Sequence, residues 1–169
     1  MAALLLAAAS AAALLAVLAL QYVAELAPCP LCIWQRYPHL GVIALGLIGW
    51  RWRAPPMLAL IALVLLGNTG LAAYHIGIEQ GWWALPAGCV AGQGAGSVAE
   101  LRELLAQAPP SCDQVSFTLL GLSLAAWNGV LCLVLAGYAC AAVALDRAAH
   151  AGRPRPAPVR ERGRSPATR

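Results

Sequence analysis

The sequence predicts an all-α fold, an integral membrane four-helix bundle, and three observations carry that expectation. The 169-residue chain is 61% hydrophobic and only 11% charged, against roughly 25% charged in an ordinary soluble domain. Four segments are apolar over a length that crosses a bilayer. The remaining polar residues gather in one long Gly-rich connection and one Arg/Pro-rich tail. This composition excludes a disordered chain, a soluble nucleic-acid binder and a conventional cytosolic enzyme. The formal charge of +4 is no mark of a nucleic-acid partner, because most of the Arg lies in the tail and Lys is absent.

The four helices are expected at about 2–24, 31–50, 57–76 and 117–145, one transmembrane domain over 1–145. Ala2 to Ala24 has no charged residue, and Leu31 to Trp50 is apolar apart from Gln35, Arg36 and His39. Met57 to Ile76 and Phe117 to Leu145 carry no formal charge. Twenty residues rising about 1.5 Å each span roughly 30 Å, the thickness of a hydrocarbon core. Without water to satisfy the backbone, such runs must be helical. The first segment reads as a retained helix. It lacks the basic flank of a signal peptide and exceeds the usual apolar core of about 7–15 residues.

Arg placement sets the orientation. Arg51 and Arg53 follow the second helix, and the tail carries every other Arg except Arg36 and Arg102. The excess of basic residues puts the turn 51–56, the tail 146–169 and both termini in the cytoplasm. Connections 25–30 and 77–116 then face outward. Trp34, Tyr37, Trp50, Trp52, Trp82 and Trp83 fall near helix ends, where amphipathic rings prefer to sit. The tail, with Pro154, Pro156, Pro158 and Pro166 and no apolar period, reads as disordered. It serves as a topology signal, with attraction to anionic membrane lipid as the alternative.

The long outer connection contains Gly77, Gly81, Gly88, Gly92, Gly94 and Gly96, which imply mobile backbone. Within it, Ser97-Val98-Ala99-Glu100 has capping-box spacing. Val98, Leu101, Leu104 and Leu105 share one face before Pro109 and Pro110 end the run. A short amphipathic helix on the outer membrane surface is expected, packing on the bundle top being the other possibility.

Of the six cysteines, Cys29, Cys32, Cys89 and Cys112 lie on the outer side, where disulfides persist. Cys132 and Cys140 share the fourth helix, about 12 Å apart in rise, and read as packing residues. Cys29-Pro30-Leu31-Cys32 closes a very small ring at a helix start, a geometry of exchangeable disulfides. Arg36 follows Cys32 by one turn, so its cation is expected to lower that thiol's pKa. An arginine inside an apolar span is costly enough to suggest a function. A loop enclosed by Cys89 and Cys112 has the size of a structural staple. The glycine-rich surroundings and a second pair on the same face favour exchange. No metal site is expected, since only one cysteine pair has compact ligand spacing. His39 and His75 differ in depth, which argues against a shared haem. His75, at the outer end of its helix, reads either as the proton donor to a reduced cofactor or as a satisfied interfacial histidine.

Pro28-Cys29-Pro30-Leu31-Cys32-Ile33-Trp34-Gln35-Arg36, at the outer start of the second helix, resembles the signature of the bacterial disulfide bond formation protein B family, inner-membrane thiol–quinone oxidoreductases. Tyr74-His75, Leu85-Pro86 ahead of Cys89, the position of Cys112 and Leu122 to Asn128 also match, and the similarity covers Leu4 to Leu145. The resemblance implies two redox-active disulfides, Cys29–Cys32 and Cys89–Cys112. A soluble thioredoxin-like periplasmic thiol oxidase, when reduced, would attack Cys89. Cys112 would then exchange with Cys29. Cys32, as thiolate, would reduce a quinone whose oxygen Arg36 holds, with His75 nearby. The membrane quinone pool supplies the cofactor, ubiquinone or alternatively menaquinone. Some members have Gln where this chain has Glu79, so quinone preference and proton delivery stay open. The rival reading is a non-catalytic tetraspan protein whose outer cysteines staple its loops.

Overall fold

The structure, a computed structural model, describes residues 1–52, 56–89, 96–107 and 109–151. Its frame is helical. Helices α1 (Ala2–Tyr22), α4 (Pro56–Glu79) and α6 (Leu124–Ala151) are each long and apolar enough to cross a membrane. The second apolar segment is divided into a short α2 (Pro30–Trp34) and a 17-residue α3 (Arg36–Trp52). Pro38 explains the division. It has no N–H to give the Trp34 carbonyl, and its ring crowds that oxygen, so α2 closes at Trp34. Helix α3 packs against both α1 and α4, and α4 runs along α6.

Small residues fill the seams and large ones face outward. The core joins Leu6, Val42, Ile61, Leu65, Cys132, Ala136 and Ala139. Leu15, Leu63, Leu133 and Val134 are exposed. This distribution is that of a membrane protein, in which helices approach through small side chains while lipid covers the large ones. A Cβ at Gly46 would sit 2.6 Å from the Ala3 carbonyl oxygen, so α1 and α3 meet backbone to backbone there.

The fourth apolar run does not begin as a helix. Residues Thr118–Leu119 (β1) and Leu122–Ser123 (β2) form a two-stranded antiparallel hairpin. Its turn holds Leu120 at φ 53° and Gly121 at φ 81°, the left-handed pair that a two-residue hairpin loop requires. Ser123 then caps α6, its Oγ accepting the Ala126 N–H at 3.2 Å. At the far end α6 continues to Ala151, so the first residues of the expected disordered tail, from Asp146, are helical. The rest of that tail lies outside the described residues, as do Arg53, Gly92 and Gly94.

Helix α5 (Val98–Gln107) occupies the long connection. Ser97 Oγ accepts the Glu100 N–H at 3.2 Å, and Glu100 reaches back to the Gly96 N–H at 2.9 Å. Both capping side chains therefore satisfy N–H groups that the helix itself leaves free. The C-terminus of α4 and the N-termini of α2 and α6 contribute neighbouring walls of one cavity. Cys29 and Cys32 lie there.

Candidate functional site

Cys29 is the N-cap of α2, and Pro30 fills the first helical position, where a missing N–H is harmless. The Cys29 sulfur accepts the Cys32 N–H at 3.2 Å, and the two sulfurs are 2.9 Å apart with no bond between them. The hydrogen bond from the Cys32 side chain, helped by His75 and the Cys32 N–H, outweighs the opposing effect of burial. It holds the Cys29 thiol well below its ordinary range, at about 4. The sequence pointed to Cys32 as the acidified thiol and Arg36 as the cause. The geometry differs: Cys29 is the thiol whose pKa is lowered, and the Arg36 Nη1 donates to Gln21 Oε1 at 2.7 Å.

Gln35, at the junction of α2 and α3, is 5% exposed and organises two histidines. Its Nε2 donates to His75 Nδ1 at 3.1 Å, which leaves the imidazole proton on Nε2, 3.6 Å from the Cys29 sulfur. Its Oε1 accepts from Asn128 Nδ2 at 3.0 Å, while Asn128 Oδ1 accepts from His39 Nε2 at 2.9 Å. Asn68 completes the layer by donating to the Gln35 carbonyl at 3.1 Å and to Cys132 at 3.3 Å. One turn further along α4, Glu79 lies 3.9 Å from His75 Nε2, and its other oxygen accepts from Ser123 Oγ at 2.7 Å.

Of these groups Cys29, Cys32, Gln35, His39, His75, Glu79, Ser123 and Asn128 border one cavity of about 110 Å³. Leu14, Val17, Leu20 and Phe117 supply its apolar wall, and Cys29, Cys32, Arg36, His39, His75 and Glu79 its reactive one. Arg36 Nε and His39 Nδ1 are buried and without a hydrogen-bond partner among the described residues. Cys29, Cys32 and His75 place their ligand atoms within 4.8 Å of one another, a grouping the sequence spacing did not suggest.

Cys89 and Cys112 are bonded to each other. Cys89 ends a 3-10 turn (Ala87–Cys89), and Ser111 Oγ donates to its carbonyl at 3.1 Å. The disulfide packs with Cys29 and Ile78 into one buried cluster, with Leu31, Cys32 and Leu85 against it. Cys29, Cys32, Cys89 and Cys112 are thus brought together, and Cys89 at 5% exposure is covered rather than displayed. The remaining two part company: Cys132 is buried beside His39 at 3.7 Å, whereas Cys140 faces outward.

Residues 1–142 match the family model described as disulfide bond formation protein DsbB. The chain belongs to the disulfide bond formation protein B family. Within that family it is 35% identical over 150 residues to disulfide bond formation protein B of Verminephrobacter eiseniae, covering 83% of this chain and 82% of the relative. The corresponding protein of Aromatoleum aromaticum is 30% identical over 140 residues, 76% and 82% of the two chains. Disulfide bond formation protein B 2 of Pseudomonas aeruginosa is 33% identical over 134 residues, 70% and 77%. No solved structure matches significantly. Membership in the family carries a role in disulfide bond formation and makes the chain a disulfide-forming oxidoreductase in general terms.

The polar layer around Gln35 was the part that motif reading missed. By motif His39 reads only as a rejected haem ligand, and Asn68 belongs to no motif. A signal existed: each is a polar side chain within an apolar helix, which membrane helices retain at a cost.

Proposed function

We propose that the chain is a thiol:quinone oxidoreductase of the bacterial inner membrane. It reoxidises a soluble thioredoxin-like periplasmic thiol oxidase and passes the electrons to the membrane quinone pool. In this reading α3 is the fourth crossing, both termini are cytoplasmic, and α5 rests on the periplasmic surface. The observation that carries it is the packing of both cysteine pairs into one cluster, of which Cys29 and Cys32 line an apolar cavity.

Exchange proceeds by sulfur displacement. A thiolate of the reduced partner attacks the Cys89 sulfur, and Cys112 leaves as a thiolate. The partner's second thiolate displaces Cys89 and departs oxidised. With Cys29 and Cys32 bonded to each other, Cys112 attacks Cys29 and releases Cys32. Cys89 then attacks Cys112, which restores the outer disulfide and leaves Cys29 and Cys32 as a reduced pair. Acidity at Cys29 favours that pair's reduced form, which makes its disulfide the stronger oxidant. The covered position of Cys89 requires the connection around it to open for the partner.

The residues present fit a quinone. The cavity is apolar on one side, and Arg36 Nε offers a buried N–H with no acceptor among the described residues. Arg36 would hold a ring oxygen, Gln21 keeping its guanidinium in place, and His75 stands beside the thiols. Ubiquinone is the expected quinone, menaquinone the alternative. When bound, it supplies a sink for two electrons and two protons.

Purified protein, mixed with reduced thioredoxin-like oxidase, is expected to consume quinone. Cys32→Ser should abolish consumption, and Arg36→His should raise the quinone KM. Undiminished turnover by the Cys32→Ser variant rejects the proposal.

A further inference from the structure

His39 is 3% exposed and lies in an apolar helix, three residues beyond Arg36 and on the same face. Asn128 Oδ1 can only accept, so the contact at 2.9 Å fixes the His39 proton on Nε2. The two amides can reverse only in concert, which would move the His75 proton to Nδ1; the Cys29 sulfur 3.6 Å from His75 Nε2 holds that proton on Nε2, so Gln35 Nε2 donates to His75 Nδ1 and Asn128 Nδ2 to Gln35 Oε1. Hence the neutral imidazole presents a bare lone pair at Nδ1. That atom is buried and unpartnered among the described residues, and His39 lines the cavity beside Arg36. Arg36, three residues earlier on the same helix, lines the same cavity, and its Nε is a buried donor without an acceptor among the described residues. One unpaired donor and one unpaired acceptor on one wall match a hydroxyl group, which accepts from the first and donates to the second.

We infer that His39 is the proton-exchanging residue of the cavity and that the Arg36–His39 pair recognises the reduced, hydroxyl-bearing ring. This inference rests on the quinone reading above. Oxidation of the Cys29 thiolate and the Cys32 thiol to the disulfide releases two electrons and one proton, and the quinone takes up both electrons, that proton and a second one drawn from water. The thiol proton, released into the shared cavity, is taken up at His39 Nδ1 and given from there to a ring oxygen. The second reaches the other oxygen without His39. Nδ1 then stands as the acceptor for the hydroxyl it has completed. The groups facing His39 suit the task. Cys132 lies behind it on α6 at 3.7 Å, Arg36 neighbours it on α3, and Cys29, Cys32, His75 and Glu79 border the same cavity.

The test uses the full chain in lipid nanodiscs with 15N-labelled histidine, short-chain ubiquinone and ubiquinol as probes, and equilibrium binding beside the spectra. Ring-nitrogen shifts of His39, assigned by their loss in His39→Gln, are expected to show a protonated Nε2 and a bare Nδ1. Ubiquinol should move the Nδ1 signal. His39→Gln keeps a donor toward Asn128 but deletes Nδ1, and should weaken ubiquinol binding about tenfold while changing ubiquinone binding much less. His39→Asn, as a second variant with a different fit, should show the same selective loss. A protonated Nδ1 at rest, or equal losses for both ring forms, overturns the inference and leaves the quinone reading intact. Failure of both ring forms to bind the unaltered protein sinks the two together.

Discussion

Gln35 Nε2 and His75 Nδ1 are 3.1 Å apart, and this contact fixes which histidine nitrogen faces the Cys29 sulfur. A glutamine side chain at the α2–α3 junction therefore controls a thiol it does not touch. Gln35→Met should break that control while filling similar volume. It strands His75 Nδ1 and Asn128 Nδ2 in a buried layer, a loss of about 1–3 kcal/mol for each unsatisfied group. Thermal unfolding in detergent is expected at lower temperature, with slower disulfide formation. Unchanged stability and rate would mean that water replaces the amide without loss.

The acidity of Cys29 gives a pH prediction with a definite sign. A thiol lowered to about 4 is ionised throughout the neutral range and regains its proton only as pH falls through that value. The stabilisation it lends the reduced, folded protein is complete above the ordinary thiol pKa near 8.5. It declines as pH falls and is gone below about 4. In reduced protein with the other cysteines changed to Ala except Cys32, alkylation of Cys29 should stay fast at pH 5. His75→Ala should move the profile upward. A midpoint near 8.5 in the parent protein contradicts the assignment.

Much of this was legible in the sequence, for reasons that also mark where legibility stopped. Long apolar runs announce α1, α4 and α6, because a bilayer leaves the backbone no other option. The capping residues Ser97 and Glu100 announce α5 in the same local way. Hydropathy is blind to the break at Gln35, since Pro38 acts through one missing hydrogen bond rather than through polarity. It is equally blind to the hairpin at 118–123, whose strands are as apolar as a helix and whose turn depends on Leu120 and Gly121 adopting positive φ. The cysteines were found by spacing. Gln35, Asn128 and His39 come together from different helices, and no spacing along the chain encodes that meeting.

The glycines of the bundle separate packing from propensity. A Cβ at Gly46 meets the Ala3 oxygen at 2.6 Å and the Ala7 Cβ at 2.7 Å, so Gly46→Ala forces α1 and α3 apart. A destabilisation of about 1–3 kcal/mol is expected. At Gly70 nothing lies within 4 Å, and Gly70→Ala should be neutral or stabilising by up to about 1 kcal/mol, the helix-propensity difference. Paired thermal melts decide the matter. Equal effects of the two substitutions would deny the close α1–α3 approach.

Cys29, Cys32 and His75 make the reduced site sensitive to thiophilic cations. Their ligand atoms lie within 4.8 Å of one another, and a thiolate with an adjacent thiol and an imidazole is a donor set that Zn2+ accepts. Added Zn2+ should therefore inhibit thiol oxidation and be reversed by a chelator. His75→Ala should raise the inhibiting concentration about tenfold or more, as expected when one of three protein ligands is lost. Redox state supplies the internal control. Once the two sulfurs are bonded to each other neither is a thiolate ligand, so calorimetric titration should detect Zn2+ binding to the reduced protein and not to the oxidised one. Equal binding to both forms would place the ion elsewhere and separate the inhibition from these three residues.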